Sequence, residues 1–241
     1  MTNSNQSPAL VPWSTEKGND TALICIPWAG AGAAPFRAWA PVIGDTAAVY
    51  GVRLAGRESR QVEPLATALD DVVTELVSAL TALGVPRVVL FGHCSGALLA
   101  FEVARALRRS AATPQPVHLL VASQLPPRVF ANTPVVSDQD VTRYVPEDLR
   151  SEPELLELLL PILTADMKLV SNYAYAAEAP LGVPLTVLYG ARDEQLDRAA
   201  VDGWSLETTG PTEFRETADA DHVFSGAAWL KLAGLVRTAL L

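Results

Sequence analysis

The stretch Val88-Val89-Leu90-Phe91-Gly92-His93-Cys94-Ser95-Gly96-Ala97 constrains this chain more than any other. An apolar run ends in Gly-x-Cys-x-Gly and passes straight into an Ala- and Leu-rich segment of helical character. A side chain at the tip of a sharp strand-to-helix turn is held out of the sheet in a strained backbone position. Such a turn closes only if the residues two before and two after the tip are small. Glycines flank Cys94 at both positions, whereas Ser95 would be flanked by His93 and Ala97. The register therefore selects Cys94 as the candidate nucleophile.

Around this turn, β-branched apolar runs alternate with longer helical patterns, the signature of a mostly parallel sheet flanked by helices. Strands are predicted over Leu23–Ile26, Val49–Arg53, Val88–Phe91, Val117–Ala122, Leu185–Tyr189 and Glu213–Thr217, and helices over Ala66–Leu83, Ala97–Arg109 and Ala227–Leu241. With 241 residues, 49% of them hydrophobic, the chain reads as a single α/β domain over residues 1–241. One region breaks the alternation. Residues 126–175 have a Pro-rich entry and then helical patterns at Pro153–Leu160 and Asp166–Tyr175, with no clear strand. An insertion of that length between core strands is read as a helical lid over the carboxyl edge of the sheet, in preference to an ordinary crossover.

The formal net charge of −9 argues against nucleic acid or an anionic membrane as partner. No basic start followed by an apolar stretch marks residues 1–7 as a secretory signal, and the longest apolar run, Leu155–Leu163, is interrupted by Glu157 and Pro161. Two cysteines, Cys25 and Cys94, make a poor disulfide framework for a domain of this size, so a reduced, cytoplasmic protein is expected. No cluster of His, Cys and carboxylates has ligand spacing, so no metal and no resident cofactor are expected. A monomer is expected.

A thiol nucleophile needs a base, and the base needs an orienting group. His93 is adjacent to Cys94 but points elsewhere on the turn and reads as structural; His118 lies early in a predicted strand. His222, in Ala218-Asp219-Ala220-Asp221-His222-Val223-Phe224, follows the last predicted strand, where the base stands in the chain order nucleophile, acid, histidine. Asp193, three residues beyond Gly190, ranks first as the orienting acid because a strand end places it rigidly; Glu194, Asp219 and Asp221 are the alternatives. The N–H of Ser95, together with an N–H from the loop Ile26-Pro27-Trp28-Ala29-Gly30-Ala31-Gly32-Ala33, is the natural pair of donors for an oxyanion. Pro35 occupies the third glycine position of a dinucleotide fingerprint, which discounts that reading of the loop. Trp28 reads equally as core packing or as a wall of a substrate pocket.

Taken in order, several segments resemble the type II thioesterases of nonribosomal-peptide and polyketide assembly lines, within the α/β-hydrolase fold. They are Ile26–Gly30, Phe36–Trp39, Leu54–Arg60, the turn at Cys94, Leu160–Asp166, Gly190–Asp193 and Asp221–Phe224. The resemblance implies that Cys94, Asp193 and His222 form the triad and that the Ala29 and Ser95 amides form the oxyanion hole. It also implies an acyl or peptidyl carrier protein as partner, whose phosphopantetheine arm brings the acyl group. Because such carriers are acidic, as this chain is, docking would need a local basic or apolar patch; Arg53, Arg57 and Arg60 are candidates, with a solvated or structural role as the alternative reading. The chain departs from the family pattern at Cys94, where serine is usual, and at Ala31, Ala55 and Thr164. A cysteine turns one thioester into another of nearly equal energy, so loading becomes reversible. Three readings follow: a hydrolase of carrier-bound thioesters, an acyltransferase or aminoacyltransferase passing the group to a second nucleophile, and a non-catalytic carrier-binding protein.

Overall fold

The apolar runs form strands to within two residues of the bounds expected from the sequence. The computed structural model describes residues 7–14, 20–110, 114–132 and 152–241. Its sheet contains β1 (Leu10–Pro12), β2 (Thr21–Ile26), β3 (Ala48–Val52), β4 (Arg87–His93), β5 (Gln115–Ala122), β6 (Leu185–Gly190) and β7 (Thr212–Thr217), in the order β1-β3-β2-β4-β5-β6-β7. All neighbours pair in parallel except β1, which runs antiparallel to β3. That edge strand was not expected. Its three residues are too few to carry an alternation, and Pro12 is tolerated only because an edge strand does not need every N–H.

Both faces of the sheet are covered, which is why the central strands are continuously apolar. On one face, Ile24, Ile26, Leu90 and Val121 pack with Val72, Leu76 and Leu80 of α2 (Leu69–Leu83) and Leu99, Val103 and Leu107 of α3 (Ser95–Ser110). On the other, Leu23, Val89, Phe91 and Leu120 pack with Phe36, Trp39 and Ile43, the last in the short α1 (Ala40–Ile43), and with Leu232 and Val236 of the terminal helix. α2 begins later than its apolar pattern suggests, where Asp70 and Asp71 fall in the first turn and favour the positive end of the helix dipole. It ends at Gly84, whose φ of 73° needs a glycine.

The remaining helices are α4 (Pro127–Phe130), α5 (Pro153–Ser171), α6 (Arg198–Val201) and α7 (Ala227–Leu240). The expected insertion over 126–175 lies partly outside the described residues, since 133–151 are not among them. The two helical patterns expected within it, Pro153–Leu160 and Asp166–Tyr175, are one helix, α5, which runs through Pro161 and ends at Ser171. Pro161 has no N–H to give to the carbonyl of Glu157, so the helix loses a bond there. It is held instead by one face: Leu163, Asp166 and Val170, at spacings of three and four, are all buried. The chain runs from β2 to β3 on one side and then to β4 on the other, so the crevice at the reversal of strand order lies beyond the carboxyl ends of β2 and β4.

Candidate active site

Cys94 is the first residue after β4, and its φ is 52°, a region that non-glycine residues seldom adopt. The turn is held by the Cys94 N–H, which donates to the Ala122 carbonyl at 2.8 Å, and by the Cys94 carbonyl, which accepts from Ala97 N–H at 2.9 Å. A Cβ on Gly92 would lie 2.2 Å from the Gly96 carbonyl oxygen; one on Gly96 would lie 2.4 Å from the Ile26 and Pro27 oxygens. Those contacts are with backbone and cannot yield, which is the steric origin of the Gly-x-Cys-x-Gly register. Cys25, the other free thiol, is fully buried in β2, and burial pushes its thiol well up.

Asp193 and His222 come to this turn from the ends of β6 and β7. Their loops are tied together: Ala191 N–H donates to the Thr217 carbonyl at 2.9 Å and Arg192 N–H to the Ala220 carbonyl at 3.0 Å. Gly190 permits the approach, since a Cβ there would meet the Ala220 oxygen at 2.1 Å. His222 Nδ1–H donates to both carboxylate oxygens of Asp193, at 3.0 and 2.9 Å, and Asp193 Oδ1 also accepts from Gln195 N–H at 3.0 Å. Of the alternative acids, Glu194 is exposed, Asp219 pairs with Lys231 at the surface, and Asp221 accepts from Ser225 N–H at 2.8 Å. His222 Nε2 is buried and, among the described residues, has no partner with hydrogen-bond geometry, while Cys94 lies near enough to act on the ring.

Burial disfavours a charged imidazole, but Cys94 and the Asp193 carboxylate outweigh it and push His222 up to about 10. Burial likewise works against the Asp193 carboxylate, and its bonds to His222 hold it below the ordinary value nonetheless. A raised histidine stabilises the fold fully below its unfolded value of 6.5 and loses that contribution as pH climbs towards 10. The melting-temperature gap between wild type and His222→Gln should therefore be widest at about pH 6 and close steadily in alkali; a gap that stays constant to pH 10 would mean the ring is uncharged in the folded state.

His93 is structural, as its place on the turn suggested, but it has a specific task. Fully buried, it is pushed down to about 4 by burial and by the charge of His222, so it is neutral. Its Nε2–H donates to the backbone carbonyl of His222 at 2.7 Å, while its ring packs against Trp28 and Trp229. His118 is remote, bonded to Thr186 Oγ1 at 2.9 Å.

Across the crevice, Ser95 opens α3, so its N–H has no carbonyl one turn earlier to bond. Trp28–Ala31 is a tight turn in which Ala31 N–H donates to the Trp28 carbonyl at 3.1 Å and Gly30 has φ 82°, the positive value that a type II turn needs at its third position. Among the described residues, the Ala29 N–H makes no hydrogen bond. Trp28 is packed into the site's aromatic cluster. Its ring packs on His93 and Trp229, and it lines a cavity of about 10 Å³ with Pro27, Leu54, Ser95, Leu99 and Val170.

Of the readings open for Arg53, Arg57 and Arg60, the structure overturns docking and bears out a structural role. Arg57 and Arg60 are buried: Arg57 pairs with Asp166 at 2.7 Å, and Arg60 pairs with Glu63 and Glu75 and donates to the Arg53 carbonyl at 3.0 Å. Arg53 bonds the Pro8 carbonyl. All three guanidiniums are used internally, which charge counting along the sequence cannot reveal. Asp166, which closes the family-like segment Leu160–Asp166, carried no role in the sequence, although an acid on the apolar stripe of a helix is a sign that a buried cation awaits it. No group of His, Cys and carboxylates among the described residues has metal-site geometry, and none of the described helices is long and apolar enough to cross a membrane.

Residues 21–238 match the thioesterase domain family. The human medium-chain S-acyl fatty acid synthase thioesterase is 30% identical over 78% of this chain and 75% of that protein. The gramicidin S biosynthesis protein GrsT of Aneurinibacillus migulanus is 28% identical over 77% of this chain and 76% of that protein. Among solved structures, RedJ, a thioesterase from the prodiginine pathway of Streptomyces coelicolor, superposes with a TM-score of 0.83 at 30% identity, covering 93% of this chain and 87% of that one. A mostly parallel sheet turning at Cys94, an imidazole–carboxylate pair at the ends of β6 and β7 and this match over nearly the whole described chain agree: the protein belongs to the thioesterase family and has its α/β-hydrolase fold.

Proposed function

We propose that the protein is a type II thioesterase of an assembly line and removes acyl or aminoacyl groups from the phosphopantetheine arm of a carrier protein through an acyl-Cys94 intermediate. The observation that carries this reading is the buried His222–Asp193 pair beside Cys94, on a strained turn between two sets of backbone donors. The likeness to GrsT and RedJ supports the assembly-line setting.

With the thiol proton resting on His222 Nε2, the Cys94 sulfur attacks the thioester carbonyl in the first half-reaction. The Ala29 and Ser95 N–H groups receive the developing oxyanion. The tetrahedral carbon collapses, the bond to the pantetheine sulfur breaks, and that sulfur leaves with the proton from His222. Cys94 now carries the acyl group and no longer favours a charged ring, so His222, having given its proton to the leaving sulfur, is left neutral and free to act as base in the second half-reaction. Water gives it a proton and attacks the acyl carbon; the Cys94–acyl bond breaks, and the sulfur recovers its proton as the acid departs. Asp193 keeps Nδ1 protonated and Nε2 facing the reaction throughout. A free thiol at Cys94 suits a reducing cytoplasm.

Cys94 itself favours a second reading, acyl transfer to another carrier thiol or to an amine, because an acyl-cysteine keeps the energy of the incoming thioester. The two are separated by incubating the protein with an acyl-carrier and a second holo-carrier. Hydrolysis gives free acid; transfer gives labelled second carrier. Cys94→Ser should raise the ratio of free acid to transferred product, since an oxygen ester no longer reloads a thiol. No acyl adduct on wild-type Cys94 by intact mass would sink both enzymatic readings and leave a carrier-binding role.

A further inference from the structure

We infer that Arg57 and Asp166 are positioning residues for the oxyanion hole, fixing the Trp28–Ala31 turn so that the Ala29 N–H faces the acyl oxygen. This rests on the acyl-Cys94 chemistry proposed above. Asp166 Oδ2 accepts from the Gly30 N–H at 2.8 Å and from Arg57 Nη1 at 2.7 Å, and Asp166 Oδ1 accepts from Arg57 Nη2 at 2.7 Å. The same Nη1 donates to the Ala31 carbonyl at 2.8 Å. The two side chains are only 5% and 7% exposed.

Stability alone gives little reason to keep such a pair, because apolar residues of similar volume commonly replace buried ion pairs without loss. What the pair does is local. Its bonds fall on Gly30 and Ala31, the residues that immediately follow Ala29. With Gly30 N–H bonded to Asp166 and Ala31 N–H bonded within the turn, Ala29 carries the N–H that the turn leaves for a ligand. A second brace comes from the neighbouring residue: Glu58, at φ 49°, accepts from Ala34 N–H at 3.0 Å, and Gly32 is glycine where a Cβ would meet the Glu58 carboxylate at 2.3 Å. Asp166 belongs to α5, whose Leu159 and Leu163 side chains lie over Gly30. Seating α5 on the loop and aligning the oxyanion donor are thus one event.

The test compares two reactions of Cys94. Acetylation by p-nitrophenyl acetate, read as the burst of p-nitrophenolate, creates an oxyanion; alkylation by iodoacetamide does not. In Arg57→Met/Asp166→Leu the burst rate should fall about 10- to 100-fold. The alkylation rate should stay within about twofold, and thermal unfolding should remain cooperative. If the double variant does not fold, Asp166→Asn is read by the same ratio. An unchanged burst, or equal slowing of both reactions, overturns the positioning role. A wild-type protein that alkylates at Cys94 but gives no burst and no acetyl adduct overturns the proposed function instead, and this inference with it.

Discussion

Cys94→Ala should fold normally yet take up no acyl group, with turnover lower by about 10⁵-fold or more, whereas Ser95→Ala should load as wild type does. The two residues are adjacent, so the contrast isolates the register of the turn. Cys94 occupies the strained tip between Gly92 and Gly96, half-exposed to the crevice; Ser95 is buried and opens α3, contributing its N–H rather than its hydroxyl. Alanine carries the same Cβ as cysteine and tolerates φ 52° as well, so the fold should be kept. Intact mass after exposure to an acyl-carrier decides it: an adduct on the Cys94→Ala protein, or its loss from Ser95→Ala, would place the nucleophile one residue later.

Asp193→Asn should lower turnover about 10³- to 10⁴-fold with little change in structure. The carboxylate now accepts the Nδ1 proton of His222 at 2.9 Å and helps to hold the ring's positive charge. An asparagine amide can instead donate to Nδ1, which sends the imidazole proton to Nε2, the nitrogen that must be free to take the thiol proton. The charge support is lost as well. Asp221→Asn and Glu194→Gln serve as controls, since Asp221 braces the loop at Ser225 and Glu194 is exposed. Single-turnover acylation measures the effect. Should Asp193→Asn keep wild-type rates while Asp221→Asn abolishes them, the orienting acid is the histidine's own neighbour in the chain.

The sequence was most legible where a physical requirement is local. Strands β2 to β6 are apolar on both faces because helices cover both, and that pattern survives in one dimension; the edge strand β7, Thr-Glu-Phe-Arg-Glu-Thr, lacks it. It was least legible where a requirement is shared between distant residues. Pro161 looked like a break between two helices, yet α5 continues through it because buried residues hold its second half and half-buried Leu156, Leu159 and Leu160 pack its first half around Leu163. β1 is too short to carry a period. Whether Arg57 docks a partner or serves the fold could not be read along the chain, because nothing nearby announces Asp166, 109 residues away.

By itself, then, the sequence determined the turn at Cys94, since only Gly92 and Gly96 fit against the backbone there, and the chain order in which an acid and a histidine follow it. Only the tertiary structure decided which carboxylate faces His222 and what becomes of Arg57. Both depend on loops from separate strands meeting at the carboxyl edge of the sheet, where a carboxylate or guanidinium sealed from water must find its partner across space, however far along the chain that partner lies.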